Sequence, residues 1–219
     1  MNEELIMNGV NLLAAGILLA SLMAMTTPRM AQLIRIFTLQ SLMLAGMAAL
    51  VAYHTGLQHL YLIAGLTVAL KAIVIPRFLN YSVGRLKVRR ELEPLLGIPS
   101  SLLLAAGIVV VAYYVTEPVI YLAEVITRNC LAISLAVTLI GMLMIIARRK
   151  AITLLIGLLM MENGLFLAVI STSHGMPLIV EMGIFFDILV AVIIMGIFAF
   201  RMNETFESTE PGASGGTRD

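Results

Sequence analysis

The chain has 219 residues, 60% of them hydrophobic and 12% charged, with a mean hydropathy of +1.02. A soluble globular chain is about one quarter charged, so the main solvent of this one must be lipid. Fourteen Lys and Arg balance thirteen Asp and Glu, which leaves no electrostatic footprint for nucleic acid.

Seven apolar runs approach the ~20 residues that a bilayer-spanning helix needs. They extend from Leu5 to Met25, Ala31 to Tyr53, His59 to Asn80, Pro99 to Val115, Asn129 to Ala147, Ala151 to Ser171 and Pro177 to Phe200. The expected fold is therefore all-α and polytopic, with one transmembrane domain over residues 1–202. The start, MNEEL, is acidic, and no small-residue cleavage site follows it, so the first run reads as a retained helix and not a signal peptide. The fourth run is the shortest. After it, TEPVIYLAEVITRN (residues 116–129) mixes Glu117, Glu124 and Arg128 with apolar residues and reads as a loop with an interfacial stretch. Residues 203–219 are polar and rich in Gly and Ser, the composition of a disordered tail.

Basic residues set the orientation. Arg29, then Arg85, Lys87, Arg89 and Arg90, then Arg148, Arg149 and Lys150, and finally Arg201 fall in alternate connections, whereas HTGLQH and STSHGM carry no Lys or Arg. The N-terminus is expected outside and the C-terminus in the cytoplasm. PRMAQLIRIFTLQSLMLAGMAALVAYHTG and ARRKAITLLIGLLMMENGLFLAVISTSHG share a layout of basic turn, mid-span polar groups and a Gly-terminated loop. Spans 1–3 and 5–7 would then form a parallel repeat.

Polar residues inside these runs are the candidate site. At about 1.5 Å per residue, Glu162 lies roughly 16 Å into its span, near mid-membrane. Asp187, Lys71 and Gln40 fall at a similar depth in the seventh, third and second spans, and Glu181 lies a turn inside the outer end of the seventh. A charge at a helix centre costs about 2.5–3.5 kcal/mol on insertion scales. Such groups must be neutralised, paired or hydrated, and groups that change protonation with small local movements are what a proton relay requires. A plain packing role competes with this reading at each position, most strongly for Gln40, which cannot carry a proton charge.

Other residues have simpler readings. Arg35, one turn into its helix, can snorkel to the interface. His54, His59 and His174 sit in outer loops or at helix ends, as interfacial histidines do. The basic stretch GRLKVRR suits anionic lipid or a partner subunit. Gly157 and Gly164 share a helix face that admits a close neighbour. Cys130 reads as a small packing residue. There is no cysteine cluster, helical His pair, GxGxxG, P-loop or nucleophile elbow, so no catalytic, cofactor-binding or metal residue is assigned.

The segments RRKAITLLIGLLMMENGLFLAVISTSHG and PLIVEMGIFFDILVAVIIMGIF resemble subunit K of respiratory complex I over residues 128–202. Through MENG, VEMGI, FFDILVAVIIM and LKAIVIPRFL, the whole chain is similar to hydrogenase-4 component E, a membrane subunit of formate hydrogenlyase-type complexes. With LIGL aligned on subunit K, that family's membrane glutamate falls on Leu159, and Glu162 follows about one turn later on nearly the same face. The resemblance implies a non-catalytic subunit in the cytoplasmic (inner) membrane, between antiporter-like subunits and a quinone-module-like part that carries redox centres. Glu162, Asp187, Lys71, Glu181 and Gln40 would relay protons or couple cation movement. A structural scaffold, an antiporter subunit and an independent transporter are the alternatives.

Overall fold

The computed structural model describes residues 3–56, 58–85, 97–120 and 128–172. The expected seventh span, with Asp187 and Glu181, lies outside the described residues, as do His174, residues 203–219 and most of GRLKVRR.

Every element among the described residues is helical: α1 (Glu3–Thr26), α2 (Met30–Thr55), α3 (Gln58–Thr67), a π-helical segment (Val68–Val74), α4 (Ile75–Arg85), α5 (Ile98–Ile120), α6 (Arg128–Ala147) and α7 (Ala151–Thr172). Together α3, the π segment and α4 form one rod, so six helices are long and apolar enough to cross a membrane. Their bounds fall within a few residues of the first six expected spans. Backbone polar groups in lipid have no water to bond, and a helix satisfies them internally. Hydroxyls follow the same rule: Ser21, Thr38 and Thr138 each donate to a carbonyl four residues back, at 2.9, 2.9 and 2.8 Å.

The segment expected as a loop after residue 115 is different. Helix α5 continues through Thr116, Glu117 and Pro118 to Ile120. Pro118 removes one backbone donor within the last turn, and the Thr116 hydroxyl donates to Ala112 O at 2.7 Å. Residues 128 and 129 already belong to α6.

The π segment also has a sequence cause. Pro76 has no N–H for the carbonyl of Ala72, and its ring crowds that oxygen in a regular helix. The preceding turn widens, and the Ile75 N–H bonds to Leu70 O, five residues back. Lys71 stands in this widened turn.

Helix α2 packs against α1, α7 and the third rod, while α6 packs against α7, α1 and α5. Apolar side chains from these helices form two clusters. One holds Val10, Ala14, Ile17, Leu44, Met47, Ile63, Val137 and Phe166. The other holds Met25, Leu33, Phe37, Ile75, Leu79, Met144, Ile156 and Leu159. Cys130 lies buried in the first cluster, the packing position expected for it.

The closest approach is between α6 and α7. A Cβ on Gly141 would come within 2.5 Å of the Met161 backbone N, and one on Gly164 within 2.5 Å of the Thr138 backbone N. Gly157 faces Gly141 O at 3.2 Å from the same construction. The neighbour admitted by the Gly157/Gly164 face is therefore α6 of the same chain. Tyr53, Tyr61, Tyr81, Tyr113 and Tyr114 are exposed near helix ends, where the amphipathic ring suits a membrane–water boundary.

Candidate functional site: a polar layer between two apolar clusters

The two apolar clusters are separated by a layer of polar side chains. Along α1 the first cluster ends at Ile17 and the second begins at Ala24, with buried Ser21 between them. Along α2, Gln40 and Ser41 fall between Phe37 and Leu44; along the third rod, Lys71 falls between Ala64 and Ile75. On α7, Glu162 and Asn163 fall between Met160 and Phe166. Gln40, Lys71 and Glu162, expected at one depth from sequence, thus share one layer in space.

These side chains touch. Lys71 Nζ lies 3.3 Å from Glu162 Oε1, an ion pair with both side chains buried. The same ammonium donates to Asn163 Oδ1 at 3.1 Å. Asn163 Nδ2 donates to Gln40 Oε1 at 3.2 Å and to Ser41 Oγ at 3.3 Å. Gln40 Nε2 donates to Ser21 Oγ at 2.8 Å, and the Ser21 hydroxyl donates to Ile17 O. The Phe166 ring centroid lies 6.0 Å from the ammonium, at the outer limit of a cation–π contact.

The energetics of the pair are close to balanced. Two charges 3.3 Å apart attract by about 5 kcal/mol at an effective dielectric of about 20. Placing both at mid-membrane costs roughly 5–7 kcal/mol on insertion scales. Neither term dominates, so a proton added to Glu162 changes the balance of the whole layer. Leu159, the position of the subunit K glutamate in the LIGL alignment, is fully buried in an apolar cluster. The acidic group one turn later is the one that meets a cation.

Asn163, Ser41 and Ser21 were not assigned to the site from sequence. Asn163 had a visible signal, an amide beside a carboxylate in an apolar helix. The serines had none, because a serine in lipid can satisfy itself on its own helix. Arg148 also differs from expectation. It belongs to one of the basic turns on which the expected orientation rests, yet its guanidinium is buried and donates to Met25 O at 2.7 Å, closing the C-terminal end of α1. Arg35 and His54 are exposed. Among the described residues, no group of three or more His, Cys, Asp or Glu could hold a metal ion.

Among the described residues, six lipid-length helices, four of which supply the buried ammonium–carboxylate layer, define a multi-pass membrane protein with an ionisable centre. No protein-family model matches the chain, and no solved structure does. Among curated proteins, it is 32% identical over 198 residues to the uncharacterized protein Rv0085 of Mycobacterium tuberculosis, covering 90% of each chain. It is 27% identical over 196 residues to hydrogenase-4 component E of Escherichia coli K12 and of Shigella flexneri, covering 90% of this chain and 91% of theirs. The chain belongs to the same family as Rv0085 and is a homologue of hydrogenase-4 component E over nine tenths of its length.

Proposed function

We propose that this chain is a membrane-arm subunit of a hydrogenase-type complex and that its buried Lys71–Glu162 pair takes part in moving protons, or in coupling cation movement, across the bilayer. One observation carries the reading: a titratable carboxylate and an ammonium stand 3.3 Å apart in a layer between two apolar clusters. The similarity to hydrogenase-4 component E supports the assignment to such a complex.

Glu162 is the group that changes state. As a carboxylate it balances Lys71. On taking up a proton it becomes a neutral acid, and the Lys71 charge is left to act on neighbouring helices. Asp187 is the next carboxylate in this scheme, with Glu181 nearer the outer surface. The subunit has no substrate of its own. Its neighbours are antiporter-like subunits on one side and the quinone-module-like part on the other, in the cytoplasmic membrane with the N-terminus outside.

A purely structural scaffold would use the same pair to lock helices together. The two readings separate on Glu162→Gln and Glu162→Asp in the assembled complex, with ion uptake into vesicles as the measurement. The relay reading expects Asp to retain more uptake than Gln, since only Asp keeps a titratable proton. Equal, undiminished uptake in both variants supports the scaffold.

A further inference from the structure

The polar layer has a direction, and the charge on Lys71 imposes it. An ammonium can only donate, so Asn163 must present its carbonyl oxygen to Lys71, at 3.1 Å. That choice turns the Asn163 amide nitrogen toward Gln40 and Ser41. Gln40 must then present its oxygen to Asn163, which leaves its nitrogen for Ser21. Ser21 must accept, so its own proton goes to Ile17 O. Every member of the chain turns its negative end toward the ammonium, and aligned hydrogen bonds of this kind polarise one another.

The same chain is unsuited to carrying protons. Beyond Lys71 it contains two carboxamides and hydroxyls, and it ends on a main-chain carbonyl. A carboxamide oxygen is a very weak base and its nitrogen a very weak acid, so neither passes a proton along without a costly tautomer. We infer that Asn163, Ser41, Gln40 and Ser21 form a positioning arm that fixes Lys71 beside Glu162 and closes the α1 side of the layer to protons. Within this layer, proton exchange then takes place at Glu162 alone, and Gln40 holds the site without relaying. This inference rests on the proposed role of the Lys71–Glu162 pair.

The two functions that the arm might have leave different mutational patterns. In a proton conduit every link is needed, so any break abolishes transfer. In a positioning arm the loss falls off with distance from Lys71. The measurement is proton uptake per turnover, with recovery of the intact complex, in vesicles holding the assembled complex. The variants are Glu162→Gln, Asn163→Asp, Asn163→Leu, Gln40→Leu and Ser21→Ala. Asn163→Leu is expected to lower uptake by about tenfold or more, the equivalent of one hydrogen bond to a charge. Gln40→Leu should cost less, and Ser21→Ala should stay within about twofold of wild type on the same scale.

Asn163→Asp keeps an acceptor oxygen for Lys71 and should retain more uptake than Asn163→Leu. A packing role predicts the reverse order, because Leu suits an apolar core and Asp adds a second carboxylate to it. Should Asn163→Leu fail to assemble, Asn163→Ser against Asn163→Ala gives the same comparison, since only Ser supplies an acceptor. Leu (or Ala) equal to Asp (or Ser) overturns the arm. So does Ser21→Ala as damaging as Asn163→Leu, which makes the chain a conduit. Undiminished uptake in Glu162→Gln overturns the proposed function and the arm together. Loss in Glu162→Gln combined with either earlier result overturns the arm alone.

Discussion

Gly164→Ala adds one methyl group where α6 and α7 leave no room for it. The new Cβ would lie 2.5 Å from both the backbone N and Oγ1 of Thr138 and 3.0 Å from Ser134 O, whereas ordinary contact begins at 3.4 Å. Two of these neighbours are main-chain atoms and cannot rotate away. The helices must separate by about 0.9 Å at this level, and overpacking of this kind costs about 1–3 kcal/mol. The backbone contacts place Gly164 at the upper end, about 3 kcal/mol against a total stability of roughly 5–15 kcal/mol. Gly107→Ala is the control, since nothing lies within 4 Å of its added Cβ. Any helix-propensity gain, up to about 1 kcal/mol, is common to both variants and cancels in their difference. Denaturant unfolding of the purified protein in detergent micelles measures that difference. Equal stability of Gly164→Ala and Gly107→Ala would refute the close α6–α7 contact. Because Asn163 is the adjacent residue, Gly164→Ala should also disturb its bonds to Lys71 and Gln40, which span only 3.1 and 3.2 Å.

Other predictions concern charge. Lys71→Met leaves a buried carboxylate without its cation and should destabilise the fold by about 3–5 kcal/mol, less whatever Glu162 recovers by taking up a proton; the Lys71→Met/Glu162→Gln double variant should lie closer to wild type than Lys71→Met in the same unfolding measurement. Arg148→Met keeps the packing of the stem but removes the bond to Met25 O, and should cost about 1.5–3 kcal/mol, whereas exposed Arg149→Met should stay within about 0.5 kcal/mol. For topology, a cysteine introduced at Thr55 should react with an impermeant thiol reagent from outside and one at Arg149 should not; the reverse pattern would invert the orientation drawn from the basic residues.

Much of this fold was legible because lipid permits so few solutions. A run of apolar residues about 20 long has to be a helix, so among the described residues six rods emerged near the expected bounds, the third running on past Asn80 to Arg85 and α5 past Val115 to Ile120. The shared depth of Gln40, Lys71 and Glu162 was legible from rise per residue. Their partners were not, because contacts between helices depend on rotation about each axis. Ser21 shows the difficulty: its bond to Ile17 O is local, but its acceptance of the Gln40 amide depends on where α2 stands. The widened turn at Lys71 had a readable cause in Pro76, five residues on, yet sequence does not say whether a proline kinks a helix or widens it. Arg148 read as a topological marker because its carbonyl partner, Met25 O, is more than a hundred residues away along the chain.

In the proposed function Glu162 acts through its proton and not through its shape. The most direct measurement is the number of protons or sodium ions moved per turnover, in vesicles containing the assembled complex, for wild type and for the Glu162→Gln/Asp187→Asn variant. Both substitutions preserve size and one acceptor oxygen, and remove the titratable proton together with the charge that it controls. The complex should stay intact and its redox half-reaction should continue while the ions moved per turnover fall. An unchanged ratio would contradict it and leave the chain as a scaffold.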